Sequence, residues 1–359
     1  MNRGNLNVRQ WLNVRNLLRK SSGISGKALL TAVTIPFFLV ILALYFLLWK
    51  PNLFEASPKI VTVNRGESFA QVVDVFSSAG VLSHPALFRI SGKIFGYAGK
   101  IKIGKYSFPS GVSNREILYA ISTGTSTANP SVTIYEGLRG TLIAKILARE
   151  VGIDSLKLAQ QFSDTSLIGL NNHGGSSLEG FLMPETYEFY WQTDEKEIVR
   201  DMLTQFRNFF SDSLQRRTRE MKMTISQVLT MASIVEGEAV LDRERPIIAG
   251  LYYNRLRRGM KLEADPTIQY IVPDGPRRLL YNDLKIDSPY NTYQHYGLPP
   301  GPISNPGKKS ILAALYPAKH NYLYFVADGL GGHRFARTFA EHLRNVRSYR
   351  RAHTSASAQ

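Results

Sequence analysis

From Ala28 to Trp49 the chain runs for 22 residues without a single charge. A helix of that length reaches roughly 33 Å at ~1.5 Å per residue, enough to cross a hydrocarbon core ~30 Å thick. Lys27 and Lys50 bracket the run, and Trp49 suits a membrane interface. Pro36 lies inside it, which a membrane helix tolerates. A cleaved signal peptide would have a shorter apolar region, ~7–15 residues, followed by a small-residue site. No clear site of that kind follows here, so a retained anchor is expected. Arg3, Arg9, Arg15, Arg19, Lys20 and Lys27 precede the run with no acid among them. By the positive-inside rule the segment 1–27 then stays in the cytoplasm, and everything after residue 50 lies outside a single-pass inner-membrane span, 28–49.

Outside that membrane the function classes narrow. The net charge is +16, and +10 remains once the six N-terminal cations are set aside. A basic surface calls for an anionic partner. Nucleic acid is the usual one, but it is absent from that side, whereas the cell wall carries anionic peptides and polymers. The absence of cysteine excludes disulfides, Cys-ligated zinc and thiol nucleophiles. His173, His320 and His342 show no zinc spacing, and no phosphate loop or serine-nucleophile motif stands out. Neither a metal nor a cofactor is therefore expected.

The outer part reads as α+β. Residues 50–58 form a linker. Ile60–Val63 alternates as a strand, Ser68 is placed to cap a helix, Pro85–Ile94 gives a second helix, and Ile101–Phe108 a closing strand. Asn114–Ser122 adds another helix. A strand-turn opening at Val61–Gly66 is echoed at Val132–Gly137, which places a boundary in the Ser/Thr/Asn-rich stretch Gly124–Ser131. The units are then 59–126 and 127–350, with a basic Ser/Ala-rich tail, 351–359. In the larger unit, Glu179–Tyr187 brings two acids and several aromatics that suit a sugar cleft. The stretch from Arg344 onward is expected to fray.

The chemistry-bearing segment begins at Thr224 and Gln227, a capping box. Ile225, Val228, Leu229, Ala232, Ile234 and Val235 supply the helix's buried side, and Glu236 shares a face with Ala232 and Leu229. By itself Glu236 would read as a solvated helix-end residue. An exposed Glu is ionised at neutral pH, with a reference value of ~4.3, whereas a general acid must hold its proton. A position beside an apolar stripe suits the second role. Glu238 follows two positions on, toward another face.

The run Met231-Ala232-Ser233-Ile234-Val235-Glu236 has downstream companions in Asn254-Arg255-Leu256, Asp265-Pro266-Thr267, Tyr290-Asn291-Thr292-Tyr293, the Gly297–Ile303 loop and Gly331-Gly332-His333-Arg334. In this order the chain resembles the endolytic murein transglycosylase family, also called MltG or YceG-like, over most of 59–350. The resemblance implies a LysM-like subdomain at 59–126 and a mixed α+β catalytic domain behind it. It implies Glu236 as the sole acid/base residue and peptidoglycan glycan strands as substrate. It also implies a lyase that forms 1,6-anhydromuramyl ends, and penicillin-binding synthases as partners. Asn254, Asp265, Gln269, Asn291, Tyr293 and His333 are the expected substrate contacts. The family often has Lys and Thr where this chain has Gly237 and Ala239. Two alternatives stay open: a glycan-binding scaffold for synthases, in which Glu236 is only structural, and a muramidase that uses water with Asp265 or Glu263 as second carboxylate.

Overall fold

The computed structural model describes residues 26–125, 131–273 and 275–356. The basic segment before Gly26, most of the expected connector and the last three residues lie outside them. Two compact units divide the chain, Met1–Ala128 and Asn129–Gln359.

In the first, α1 (Gly26–Leu44) continues through a π-helical turn, Tyr45–Trp49. Pro36 lies within it without ending it. Leu30–Trp49 is long and apolar enough to cross a membrane, and residues 30–43 are exposed throughout. Next come β1 (Pro51–Asn52), β2 (Lys59–Val63), α2 (Phe69–Ser78), α3 (Pro85–Ile94), β3 (Gly104–Phe108), β4 (Val112–Ser113) and α4 (Asn114–Thr123). Strands β2 and β3 pair antiparallel from Lys59↔Phe108 to Val63↔Gly104. Their inward residues Val61, Val63, Tyr106 and Phe108 close a core with Val72, Val73, Phe76, Phe88 and Ile117. Helix α2 starts where Ser68 and Gln71 complete a capping box. The segment expected as a plain linker is partly structural, since β1 pairs with β4. Asn52 is the reason. Its buried amide donates to Val112 O and Asn114 Oδ1, and its Oδ1 accepts the Ser83 N–H.

The second unit is mixed α+β with short strands. In order it contains β5 (Ser131–Thr133), α5 (Gly140–Val151), α6 (Ser155–Gln161), β6 (Thr186–Glu188), α7 (Glu195–Phe209), α8 (Asp212–Glu220), α9 (Ile225–Glu238), α10 (Arg245–Arg257), α11 (Asp265–Ile271), α12 (Lys308–Leu315), β7 (Tyr324–Ala327), β8 (His333–Ala336) and α13 (Phe339–Ala356). Strands β5 and β6 pair antiparallel, as do β7 and β8. Helix α9 is the axis of the unit. The sequence predicts one buried side, but burial runs round the helix from Ile225 to Val235, with only Gln227 exposed. A helix packed on every side must satisfy its polar members internally. Thr230 Oγ1 donates to Ser226 O, Ser233 Oγ donates to Thr230 O, and Ser233 Oγ accepts the Ile303 N–H. The expected frayed end is instead helical to Ala356. Glu341 caps α13 by accepting from the Arg337 and Thr338 N–H groups, and Phe339 packs on Tyr324.

Candidate active site

The C-terminal turn of α9 delivers Glu236 to a polar socket. Its side chain is 9% exposed. Oε1 accepts from Arg245 Nη1 at 2.8 Å, and Oε2 accepts the Gly307 N–H at 2.9 Å. Both oxygens are held, so the carboxylate has one orientation. Arg245 is fixed in turn by Ser310 Oγ at 2.5 Å and Asp242 Oδ1 at 3.1 Å. It reaches this place because a 3₁₀ turn, Asp242–Glu244, opens α10 with Pro246 in its first turn.

Glycines make the socket possible. A Cβ on Gly307 would fall 1.9 Å from the Glu136 carboxylate. Gly137, at φ +76°, has its missing Cβ position 3.5 Å from Glu236 Cγ. Gly237 lets Pro266 approach to 2.6 Å of where a Cβ would be. That contact seats α11 against the end of α9.

A cleft of about 680 Å³ opens beside this point, lined by Gly137 and Gly237 on either side of Glu236 but not by Glu236 itself. Ser233, Gly237 and Glu238 line it from α9, Asp265, Gln269 and Tyr270 from α11, and Gly137 and Arg139 from the loop before α5. A side cavity of about 490 Å³ shares Arg139, Thr141 and Tyr270 and adds Glu179 and Tyr290. The Arg139 guanidinium lies over the Tyr270 ring at 4.9 Å and donates to Gln269 O. Carboxyls, amides and aromatic faces on one wall fit a sugar, whose hydroxyls need donors and acceptors and whose C–H faces need rings.

Two carboxyls here are pushed up to about 7 by burial: Glu179, despite N–H donation from Gly140 and Asn305, and Glu238, despite the Tyr252 hydroxyl at 2.8 Å. The folded chain therefore keeps protons that the unfolded chain loses above its ordinary value of 4.5. The stability they contribute is full below about pH 4.5 and is lost as pH rises through about 7. Urea unfolding of the whole chain should show stability falling between pH 5 and 8, by about 1–3 kcal/mol for each group. Glu238→Gln should flatten its share of the slope. An unchanged slope would remove Glu238 from this account.

The structure brings only some of the expected contacts together. Asp265 and Gln269 line the cleft. Tyr293 reaches it through Asp265, whose Oδ1 accepts the phenol hydroxyl at 2.6 Å. Asn254 is buried and spends its amide nitrogen on His320 O and Tyr322 O. Asn291 is fully buried, with Nδ2 on Leu284 O and Ile286 O and Oδ1 on the Tyr293 N–H. His333 Nδ1 meets the buried Glu244 at 2.7 Å. These three hold backbone or a buried carboxylate and do not line the cleft. Glu263 pairs with Arg255, and Glu185 with Lys308. Glu238, expected to face elsewhere, is a cleft residue.

Sequence reasoning missed Arg245, Asn305 and Gly307, and saw Glu136-Gly137 only as a boundary echo. No local spacing points to them, because each acts across more than one loop. Arg245→Lys tests the socket. A lysine keeps the charge but cannot bridge Glu236, Asp242 and Ser310 together. Misplacing a reacting group by ~1 Å can cost ~10²-fold. With Glu236 as the acid/base residue that the resemblance implies, kcat for glycan cleavage should fall about tenfold or more with KM little changed. Wild-type kcat would mean that Arg245 does not position Glu236.

Among the described residues, no group of three or more His, Asp or Glu side chains could hold a metal ion.

Comparison with known proteins adds family and fold. The YceG-like family model matches residues 61–348. An endolytic murein transglycosylase of Bacillus subtilis (strain 168) is 32% identical over 304 residues, covering 80% of this chain and 84% of that protein. One from Streptococcus pneumoniae (strain D39) is 30% identical over 324 residues, covering 81% of this chain and 58% of the longer relative. A crystal structure of a yceG-like protein from Listeria monocytogenes superposes with a TM-score of 0.58 at 29% identity, covering 80% of this chain and 98% of that one.

Proposed function

The chain belongs to the YceG-like family, and from that membership we propose that it is an endolytic murein transglycosylase with Glu236 as its acid/base residue. The single observation that supports the assignment of Glu236 is the socket. A carboxylate at the end of a fully packed helix is held in one orientation by Arg245 and Gly307, beside a cleft of sugar-binding character.

The chemistry needs one carboxyl used twice. Glu236 gives its proton to the oxygen leaving C1 of the muramyl residue as that glycosidic bond breaks. The 6-hydroxyl of the same sugar attacks C1, and its proton passes to Glu236, which is thereby restored. A 1,6-anhydro end forms and no water is consumed. Because Glu236 neither gains nor loses a proton over the cycle, a rigid holder serves both half-steps. Asp265, Gln269, Tyr270 and Arg139 position the glycan along the cleft.

The apolar helix is the membrane anchor of this reading, with its basic N-terminal side in the cytoplasm and everything after residue 50 outside. The β2-α2-α3-β3 arrangement of the first unit supports a LysM-like, glycan-contacting role. Synthases that extend the strand are the expected partners, since cleavage during synthesis ends it. Glu238 and Asp265 in the same cleft give the water-using muramidase its one point of support.

Product chemistry decides. The whole chain is incubated in detergent with uncrosslinked glycan polymer and the fragments are weighed by mass spectrometry. Internal fragments ending in 1,6-anhydromuramic acid are expected. Reducing ends would replace this reading with hydrolysis, and intact polymer bound to folded protein would replace it with a scaffold.

A further inference from the structure

The cleft lies at the C-terminal end of α9, and a second concavity lies at the N-terminal end. It is made of two cavities, about 560 and 740 Å³, that share Met223, Tyr253 and Leu256. Their walls carry Arg217, Lys222, Arg257 and Lys319 and no carboxylate. The active cleft and its side cavity have the opposite make-up, with Glu179, Glu238, Asp265 and Asp287 against Arg139 alone. The groove is thus cationic where the cleft is acidic.

The groove is built, and a packed loop forms one side of it. Ala318 N–H donates to Pro246 O at 2.9 Å, and the His320 ring bonds Ile247 O at 2.9 Å. Asn254 holds the His320 and Tyr322 carbonyls at 2.8 and 3.0 Å. The loop can lie this close only because α10 has Gly250 beneath it, where a Cβ would stand 2.3 Å from Ala318 O. Asn254 also accepts from Arg257 through its Oδ1. The residue that motif reasoning placed in the substrate cleft therefore shapes this second site. Arg217 is anchored on Leu315 O at 3.0 Å and meets Glu220 at 3.1 Å. Among the described residues, the ammonium groups of Lys222 and Lys319 make no ion pair.

Cations that line an open cavity, two held arginines and two lysines without an ion pair, recognise an oxyanion, and Arg and Lys together suit phosphate. The shared floor of Met223, Tyr253 and Leu256 would leave apolar surface wet beneath a bare inorganic ion. We propose that this groove binds a phosphoryl group borne on an apolar carrier, with Lys222, Arg257 and Lys319 taking the oxygens and the Met223–Tyr253–Leu256 floor taking the carrier. Phosphoryl oxygens are offered by a lipid headgroup and by free phosphate alike, so the two sources are titrated separately.

The whole chain in neutral detergent is titrated by calorimetry with inorganic phosphate and with a short-chain phosphatidic acid. The same is done for Lys222→Gln/Lys319→Gln, two changes that remove charge without removing a hydrogen bond of the fold; an unchanged melting temperature checks this. The lipid should bind at least tenfold tighter than phosphate, lose at least tenfold in the double variant, and weaken as salt rises. Equal affinity for both would overturn the apolar carrier and leave a plain phosphate site. No binding of either, or binding that the double variant leaves unchanged, would overturn the proposal outright. The readout is binding, so failure of glycan cleavage has no bearing on it.

Discussion

Glu236→Gln should abolish glycan cleavage, lowering kcat at least ~10³-fold, while the protein remains folded. General acid–base catalysis by one group contributes ~10²–10⁴, and in the proposed mechanism a single carboxyl serves both proton transfers. A glutamine can still accept the Gly307 N–H through its amide oxygen, so that side of the socket is kept, while its NH2 then faces the Arg245 N–H and the transferable proton is lost. Arg245 loses one counter-charge but keeps Asp242 at 3.1 Å and Ser310 at 2.5 Å. That contrast makes the experiment informative. Removing one partner of a buried pair costs about 3–5 kcal/mol, and the other partners of Arg245 hold the loss to the low end of that range, against a near-total loss of rate. The measurement pairs product analysis with a thermal unfolding curve. Residual cleavage above about a tenth of wild type in folded protein would remove Glu236 from the mechanism and turn attention to Glu238, which lines the same cleft.

The features that were readable in the sequence are those set by neighbours along the chain. Ser68 caps its helix as expected, and the capping box at Thr224/Gln227 forms as its spacing requires. Pro85–Ile94 is a helix with the predicted limits, and the alternation at Ile60–Val63 is a strand. What could not be read is contact across distance. Pro51–Asn52 looks like linker because nothing local says that Asn52 will join Val112, Asn114 and Ser83. The asparagines of the motifs were harder to read. An asparagine at a motif position suits a sugar acetamido group, but the same two donors and one acceptor also suit a loop with unpaired carbonyls. Asn254 and Asn291 are used in the second way. Composition cannot separate the two uses, since both need the same atoms. Glu238 escaped for a related reason: helical spacing gives its direction from the α9 axis, while the approach of α11, permitted by Gly237, decides that this direction is a cleft.

Asn305→Ala should cost about 3–5 kcal/mol of stability, the largest loss expected from a single side chain outside the apolar core. Asn305 is fully buried. Its Oδ1 accepts from the Gly180 N–H at 2.8 Å and the Leu182 N–H at 3.0 Å, and its Nδ2 donates to Leu138 O at 3.0 Å and Glu179 Oε1 at 2.7 Å. The alanine leaves two backbone donors without their acceptor. Each unsatisfied buried polar group costs about 1–3 kcal/mol. Leu138 O is not orphaned, because the Asn305 N–H reaches it at 2.9 Å, and Glu179 keeps the Gly140 N–H. That limits the estimate to the two donors plus the cavity. Domains hold only ~5–15 kcal/mol in all, and each kilocalorie is worth ~2–4 °C at this size, so the melting temperature should fall by roughly 6–20 °C. The same clasp holds the Gly137 turn, whose N–H donates to Asn305 O at 2.8 Å and which lies against Glu236. The alanine keeps that main-chain carbonyl, so rate should fall only as far as loss of the side-chain bonds to Gly180, Leu182 and Glu179 lets the clasp shift. A loss below about 1 kcal/mol would mean that water replaces the amide. The clasp would then be a convenience of packing rather than what joins the acid's turn to the Glu179 wall.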